Sequence, residues 1–272
     1  MATAIKIANV VTGGAGNSVG GAQRGGAPSP PPAGFRFRVD TRNSGSSRST
    51  DYKLPTRSAG VYNFTVDWGD GSTDTITSYN QAEVTHTYST GGIYTIDITG
   101  DFTGIDLFGS GDPLKMLEIL NWGGTNLTIN NLFALRGATN MTCSATDSPT
   151  LTGDISGCFY LSNAITSGLA NWDFSNVTNA QFLLLDVPNW NEDISSWDVT
   201  SCTNFGSAFS GTSMSQANYD ALLIAWAAQS VQSNVSFSTS AQYTGGRSSA
   251  AATARNTLVN TYNWTISDGG PN

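Results

Sequence analysis

Three aspartates, Asp67, Asp70 and Asp74, lie close together in the first third of the chain. Carboxylate oxygens are the ligands that calcium prefers, so this group is a candidate metal site, although its spacing lacks the glycine and glutamate of an EF-hand loop. The acid and base of a glycosidase face each other across a groove, whereas these three residues share one short segment. We predict that they stabilise a turn, with calcium binding as the alternative.

His86 is the only histidine, so any catalysis that depends on histidine would have to use it. A catalytic histidine needs a nucleophile or an orienting carboxylate beside it, and no Gly-x-Ser-x-Gly segment supplies an activated serine. The chain contains neither a Walker A loop nor an HExxH motif, and the glycines at 13–16 do not follow a strong predicted strand. We therefore predict a structural role for His86, no catalytic residue and no cofactor.

Trp190 has polar or turn-forming neighbours, namely Pro188, Asn189, Asn191 and Glu192. This setting predicts a tryptophan exposed at the edge of a repeat. An exposed aromatic ring beside amide groups is suited to binding a sugar, because the apolar face of the ring can stack against the sugar while its surroundings stay polar. Trp190 and Asn191 are therefore a candidate ligand face. The alternative is a tryptophan that packs locally within its loop.

The three cysteines, Cys143, Cys158 and Cys202, cannot all pair within one chain because their number is odd. Each lies among apolar or small residues. A zinc site would require closely spaced cysteines or histidines, and these are absent from the surrounding sequence. We predict that all three are small, buried hydrophobic side chains with free thiols.

Only 12% of the residues are charged, and 12 basic against 20 acidic residues give a formal net charge of −8. This balance disfavours a nucleic-acid partner, because neutralising phosphates requires clustered lysines and arginines. It disfavours an anionic membrane surface for the same reason. No segment is long and apolar enough to span a bilayer, and the first residues do not resemble a secretory signal. We predict a soluble protein of the extracellular or virion type.

Alternating apolar and polar residues predict β-strands between residues 35 and 108, with Phe35 and Val39 on the buried face of the first strand. Three segments carry a resemblance: WGDGS at 68–72, HTY at 86–88 and GIYTIDITG at 92–100. They resemble the PKD family of immunoglobulin-like β-sandwiches. The resemblance implies that residues 35–108 form such a sandwich.

Internal repeats follow the predicted sandwich. Residues 171–179 align with residues 196–204 at an offset of 25, so that Trp172 matches Trp197 and Val177 matches Cys202. A period of 20–29 residues with one short strand per repeat is typical of a leucine-rich-repeat solenoid. The repeats, with the segment NEDISSWD that begins at Asn191, resemble those of BspA-like surface proteins.

Two helices and two short strands are predicted after the repeats. Tyr219, Leu222, Leu223 and Trp226 follow helical spacing, and Ser213 with Gln216 could form a capping box. A second helix is predicted over 249–262, with these residues facing inward: Ala251, Ala254, Leu258 and Tyr262. This ending resembles the cap that closes BspA-like repeat domains.

Residues 1–34 contain too little apolar surface to fold alone. Their apolar residues near the start are Ile5, Ile7, Val10 and Val11. The prolines between positions 28 and 32 predict a stiff spacer. We predict an extended arm that docks on a partner by hydrophobic burial or by adding a strand to an exposed sheet edge.

Together these patterns predict a mainly β chain in four parts: an arm (1–34), a PKD/Ig-like sandwich (35–108), a BspA-like leucine-rich-repeat solenoid (109–212) and an α/β cap (213–272). Both scaffolds are used for recognition, and a fold does not identify its target. We predict a non-catalytic bacteriophage capsid decoration protein on the virion surface. Its arm would bind the major capsid protein or another virion protein, and its folded parts a host-surface glycan or receptor. The alternatives are a bacterial cell-surface adhesin and a phage tail fibre or receptor-binding protein.

Overall fold

The computed structural model describes residues 34–131 and 133–272, and within them the chain is mainly β, as predicted. The first six strands are β1 (Phe35–Asp40), β2 (Asp51–Lys53), β3 (Val61–Asp67), β4 (Thr73–Ile76), β5 (Thr85–Thr87) and β6 (Ile93–Thr103). A 3₁₀ turn at Ala82–Val84 precedes β5.

Strands β1 and β3 owe their positions to alternation. In β1, Phe35, Phe37 and Val39 are fully buried while the two arginines between them are exposed. In β3 every second residue is buried, starting at Tyr62. Because successive side chains of a strand point to opposite faces, this pattern places one face of each strand on the core.

Two sheets face each other in this first region. One contains β1, β3, β4 and β6, with β6 antiparallel to both β1 and β3. The other is the antiparallel pair β2–β5. Their facing side chains meet in the core, where the rings of Phe37 and Tyr52 lie 5.9 Å apart. Residues 35–103 thus form a two-layered β structure.

The chain then continues through α1 and the elements of the solenoid. These are α1 (Leu107–Ser110), β7 (Met116–Asn121), β8 (Leu127–Ile129), β9 (Thr142–Cys143), β10 (Thr150–Leu151), β11 (Gly153–Asp154), β12 (Val177–Asn179) and β13 (Asn204–Phe209), with 3₁₀ turns at Pro113–Lys115 and Gly124–Asn126.

One sheet passes from the first region into the solenoid. β1 lies between β6 and β7, and it is antiparallel to both. β7 pairs in parallel with β9, and β6 pairs in parallel with β8. Strands on both sides of residue 108 are therefore hydrogen-bonded to each other. Their buried side chains belong to one continuous hydrophobic cluster. The first region covers the first coil of the solenoid and closes that end of the stack.

Parallel backbone hydrogen bonds join each coil of the solenoid to the next, at separations close to the predicted repeat period. Phe133 N–H donates to Ser156 C=O, Gly157 N–H to Gln181 C=O, and Phe182 N–H to Gly206 C=O. Left-handed backbone recurs at the same place in successive coils, with φ of 58°, 62°, 59° and 54° at Phe133, Gly157, Phe182 and Ser207. The coils therefore share one backbone conformation although their sequences differ.

The repeat alignment also correctly predicts buried positions. Trp172 and Trp197 are 3% and 0% exposed, and Cys202, which aligns with Val177, is fully buried like it. All three cysteines are buried and unpaired. These side chains form the core because a single repeat cannot bury its own apolar face.

An α/β cap covers the last coil. Its elements are α2 (Gln216–Ala227), β14 (Ser236–Thr239), α3 (Ala250–Thr261) and β15 (Thr265–Ser267), and β13, β14 and β15 form a parallel sheet. The predicted inward residues of α2 are all buried, which confirms the helical spacing. In α3 three of the four predicted inward residues are buried and Tyr262 is half-buried against the core.

The predicted capping box of α2 is wrong in its first residue. Ser215, not Ser213, is the N-cap, and its hydroxyl accepts a hydrogen bond from Asn218 N–H. Ser213 instead donates from its hydroxyl to the Pro188 carbonyl of the preceding coil. Among the described residues, no helix has the length and apolar character needed to cross a membrane.

Candidate functional site

Asp70, Ser72 and His86 meet where the turn after β3 approaches β5. Asp70 Oδ2 lies 2.9 Å from His86 Nε2, and Ser72 Oγ lies 3.5 Å from the same nitrogen. In a catalytic triad the carboxylate and the serine use opposite ring nitrogens, so that one orients the ring while the other gives up its proton. Here Ser72 Oγ also donates to Asp70 Oδ1 at 2.6 Å. The arrangement is that of a hydrogen-bonded turn, not of a nucleophile and its base.

The His86 ring is held by aromatic neighbours. It stacks on Trp68 with ring centroids 4.7 Å apart, and the Tyr88 ring meets it edge-on at 4.5 Å. The Tyr88 hydroxyl donates to the Trp68 carbonyl at 2.9 Å. These contacts match the structural role that the sequence predicts for His86.

The pKa of Asp70 is lowered to about 2. Burial by itself would raise this pKa, but the hydrogen bonds from Ser72 and His86 to the carboxylate outweigh it. Asp70 is therefore ionised at neutral pH and holds the turn together as an anion.

The other two aspartates of the predicted cluster also bond within the turn. Gly69 N–H donates to Asp67 Oδ1 at 2.9 Å, and the Trp68 indole N–H donates to Asp74 Oδ2 at 2.8 Å. These bonds are those expected of side chains that stabilise a turn. Within residues 34–131 and 133–272 no three or more His, Cys, Asp or Glu side chains are grouped so as to hold a metal ion. The calcium interpretation of Asp67, Asp70 and Asp74 thus gains no support.

Trp190 is fully buried, so its predicted exposure is wrong. Its ring stacks against Phe209 of the following coil, with centroids 5.7 Å apart. Asn191 is exposed, but its side-chain oxygen accepts from Ser215 N–H and from the Asn218 side chain, each at 2.8 Å. The predicted ligand face is therefore a packing contact and a support for the start of α2.

Asp173 and Asp198 occupy equivalent places in two repeats, and each accepts a hydrogen bond within its own repeat loop. Asp173 Oδ1 accepts from the backbone N–H of Ser175 at 3.1 Å, and Asp198 Oδ1 accepts from that of Thr200 at 3.0 Å. Each aspartate closes a turn of its own coil, which explains why it recurs with the repeat.

A buried charged cluster, which the sequence analysis missed, holds the loop between β1 and β2. Asp112 and Lys115 are both fully buried, with their charged atoms 3.7 Å apart. Asp112 accepts hydrogen bonds from the backbone N–H groups of Ser46, Ser47 and Lys53 at 2.6, 3.0 and 3.1 Å. The carboxylate is thus surrounded by donors from the polar loop.

Lys115 completes this cluster from the other side. Its Nζ donates to the carbonyls of Ser47, Arg48 and Asp51 at 3.2, 2.7 and 2.8 Å and to the Ser47 hydroxyl at 2.7 Å. Burial lowers the pKa of Lys115, while the charges of Asp112 and Asp51 oppose that shift. Because the charges are paired and their hydrogen bonds are satisfied, the cluster can stay buried, and it ties the loop to the first coil.

A groove of about 210 Å³ lies between neighbouring coils, and Cys143, Gly168 and Glu192 contribute to its lining. The carboxylate of Glu192 already accepts from Gly168 N–H at 3.0 Å and Leu169 N–H at 2.8 Å. Its charged group is therefore occupied in joining two coils.

A second arrangement missed by the sequence analysis lies on one face of the first coils. The Arg136 guanidinium lies 4.1 Å from the ring centroid of Phe108, 5.0 Å from that of Phe133 and 4.9 Å from that of Tyr160. We call these four residues the aromatic–guanidinium face. Phe108 is 58% exposed and the other three are half-buried. These residues come from α1 and two consecutive coils.

The backbone of the coils creates this face. Phe133 has a left-handed conformation, and its ring lies directly over Gly157 of the next coil. A Cβ at Gly157 would lie 2.3 Å from the Phe133 ring, so the glycine is what makes room for it. Half-buried Phe182 and Leu185 continue the apolar surface along the following coil.

Arg136 has no acidic partner on this face. Within the described ranges no carboxylate forms a salt bridge with it, and its Nε is buried without a hydrogen-bond partner. One signal in the sequence could have singled it out: Lys115 and Arg136 are the only two basic residues between positions 109 and 246. Lys115 belongs to the buried charged cluster, and Arg136 is the cation that lacks an acidic partner.

The remaining predicted partner-binding residues are Ile5, Ile7, Val10 and Val11. They lie outside the residues that the structure describes.

Residues 129–249 match a protein family described as "Mycoplasma protein of unknown function, DUF285". The match runs from the end of β8 to the residue before α3, which includes the coils after β8 and part of the cap. It is compatible with the BspA-like repeats inferred from sequence, and it covers less than half of the chain. Comparisons with curated proteins and with solved structures found no match.

Proposed function

We propose that this chain is a non-catalytic virion protein, a bacteriophage capsid decoration protein that residues 1–34 attach to the major capsid protein or another virion protein. Residues 35–108 would be its PKD-like domain, and the BspA-like coils would be displayed outward on the virion surface. The observation that carries the proposal is the closure of the stack. β1 and β6 cover its first coil, and the α/β cap covers its last.

Closure of both ends matters for attachment. An open end of a solenoid offers unpaired strands and apolar surface to a partner, whereas a capped stack does not. The core of the described body begins at Phe35, which is fully buried. Attachment through the preceding apolar residues would leave the displayed body intact.

The geometry around His86 supports a structural role for this residue. His86 is the chain's only histidine, and both Asp70 and Ser72 contact the same ring nitrogen. A serine hydrolase would need these two partners on opposite nitrogens. The cluster instead stabilises the turn after β3.

A second candidate is a bacterial cell-surface adhesin, or a tail fibre or receptor-binding protein of a phage. The match of residues 129–249 favours the adhesin, because the family's description names a bacterium rather than a phage. In every candidate the same coils are displayed, and the candidates differ in whether the chain is attached to a phage particle or to a bacterial cell.

Fractionation of cells that express the gene naturally distinguishes a virion protein from a cell-surface adhesin. A lysate would be separated on a density gradient, and an antibody against residues 213–272 would locate the chain. We expect the full-length chain in the fraction of assembled particles. Its recovery in the cell-envelope fraction, with none in particles, would overturn the virion proposal and favour the adhesin.

A further inference from the structure

We propose that the aromatic–guanidinium face binds an acidic saccharide, with Arg136 pairing with a carboxylate and the aromatic rings covering the apolar faces of the sugars. The inference rests on the proposed display function, since it names the class of surface ligand that the displayed coils would hold.

Arg136 is the one cation of this face, and no acidic group of the described residues pairs with it. The chain has a net charge of −8, yet Arg136 lies within a long stretch that contains one other basic residue. Its Nε is the guanidinium nitrogen that is buried without a partner, so the two Nη groups are the ones that a ligand can reach. A guanidinium matches a carboxylate through two parallel hydrogen bonds, which are stronger than bonds between neutral groups. An anionic ligand would supply the partner that the described residues do not.

The aromatic rings of this face restrain the guanidinium and offer apolar surface to a ligand. Phe108, Phe133 and Tyr160 surround the guanidinium at 4.1 to 5.0 Å, and the Phe133 and Tyr160 ring centroids are 6.3 Å apart. Contact with three rings restricts the arginine side chain before a ligand arrives, which reduces the entropy lost on binding. A ligand that covers Phe108 also removes apolar surface from water. The face therefore favours a ligand with both an anionic group and flat apolar surfaces.

The hydrogen bonding of the coils favours a saccharide over a peptide strand as the ligand of this face. The backbone groups of this face are already used, because Phe133 N–H donates to Ser156 C=O and Gly157 N–H donates to Gln181 C=O. A peptide could not bind here by adding a strand, which is how many extended peptides gain affinity. Phe182 and Leu185 extend the surface onto the next coil, so an elongated chain of sugars could lie along it.

The single cation of this face argues against a nucleic acid or another polyphosphate as its ligand. Nucleic-acid binding requires several cations that displace counterions together, and this face contains one. An acidic saccharide matches this face better: its carboxylate would pair with the one guanidinium, and the apolar faces of its sugars would cover the three rings.

Isothermal titration calorimetry with the full-length protein tests the inference. The probes are hexagalacturonate, a hyaluronan hexasaccharide, trisialic acid, the fully methyl-esterified hexagalacturonate and hexaglutamate. We expect at least one acidic saccharide to bind. If that saccharide is hexagalacturonate, its ester should bind at least tenfold more weakly, about the loss expected when one charged hydrogen-bonded pair is removed.

The variants are Arg136→Met, Phe108→Ala and the control Arg247→Met. Arg136→Met should weaken binding of the best saccharide about 10- to 100-fold, the range for a charged hydrogen-bonded pair. Phe108→Ala should weaken it less. Arg247 is exposed and distant in sequence, so its substitution should leave binding unchanged. Thermal melts of all three variants should match the parent, which ensures that any loss reflects the face itself.

Three results would overturn the inference: no acidic saccharide binds at millimolar concentration, Arg136→Met binds as tightly as the parent, or hexaglutamate binds as tightly as the best saccharide. The last result would assign the face to acidic peptides. Particle attachment of the same variants is measured separately by gradient fractionation. If the protein attaches to particles but binds no acidic saccharide, this inference is refuted and the proposed display function is not. If it binds an acidic saccharide but does not attach to particles, only the proposed location on a virion is refuted.

Discussion

Replacing Lys115 by methionine should lower the free energy of unfolding by about 3–5 kcal/mol, the cost of removing one partner of a buried ion pair. Methionine preserves most of the side-chain volume, so the loss is electrostatic rather than a cavity. It leaves the Asp112 carboxylate and the Asp51 carbonyl buried without their cation. Since folded domains are stable by about 5–15 kcal/mol, this is a large fraction of the total.

The magnitude follows from the contacts of the ammonium group. Lys115 Nζ has four hydrogen-bond acceptors within 3.2 Å, three of them backbone carbonyls of the loop between β1 and β2. Several buried acceptors lose their donor at once, although Asp112 keeps its bonds to backbone N–H groups. For a chain of this size, the loss corresponds to a fall in melting temperature of about 6–20 °C.

Urea unfolding followed by tryptophan fluorescence measures the effect, with Lys53→Met as the control. Lys53 is half-buried, and it contacts Asp112 through its backbone N–H, which the substitution preserves. The control should stay within about 0.5 kcal/mol of the parent. The double variant Lys115→Met with Asp112→Asn should cost less than the sum of the single variants, because the two residues act as a pair. Surface substitutions usually change the free energy of unfolding by less than about 1 kcal/mol. A Lys115→Met protein whose free energy of unfolding lies within that limit of the parent value would refute the reasoning.

Three further predictions concern the core, the cysteines and the turn. Trp197→Ala should destabilise the protein by about 3–5 kcal/mol in urea unfolding, since Trp197 is fully buried. Thiol titration in denaturant without reductant should find Cys143, Cys158 and Cys202 all reduced. In the folded state Cys143 and Cys202 should react slowly at pH 8, because burial raises the pKa of each to about 12. Asp70→Asn should destabilise the protein at pH 7, and the difference from the parent should shrink as the pH falls from about 4 to 2, since the lowered pKa of Asp70 stabilises the fold only above that range.

Each of these has a control and a contradicting result. Tyr79→Ala removes an aromatic side chain that is 42% exposed, and a Trp197→Ala melt equal to it would contradict the repeat alignment. Recovery of one thiol instead of three would reveal a disulfide. For the turn, Asp101→Asn removes an exposed carboxylate from β6. A difference between Asp70→Asn and the parent that is constant from pH 7 to pH 2 would show that the hydrogen bonds to Asp70 do not depend on its charge.

Local periodicity predicted most of the elements. The strand β1 follows from the alternation of Phe35, Phe37 and Val39, and the buried face of α2 follows from helical spacing. Trp172 and Trp197 were found because the coils repeat, and the same alignment identified Cys202 as a core residue. These signals are visible in sequence because they arise from neighbours on one element or from one period.

The features that the sequence did not predict arise from contacts between elements that are distant along the chain. Polar neighbours indicated that Trp190 is exposed, but its ring packs on Phe209 of the next coil. A lone lysine is typical of a surface, yet Lys115 is buried because the loop near Ser47 wraps around it. The aromatic–guanidinium face joins Phe108 with residues from two consecutive coils, and no local pattern predicts that meeting.

The central claim, that the first residues anchor a self-contained display body, is tested most directly by deleting residues 1–30 and measuring how much of the protein is bound to purified particles. The same preparations are compared with the full-length chain by quantitative immunoblotting, and their melting temperatures are recorded. We predict a truncated protein that melts cooperatively near the parent temperature and is absent from particles. A truncated protein that occupies particles at the level of the full-length chain would contradict the claim, because the attachment would then lie in the folded body.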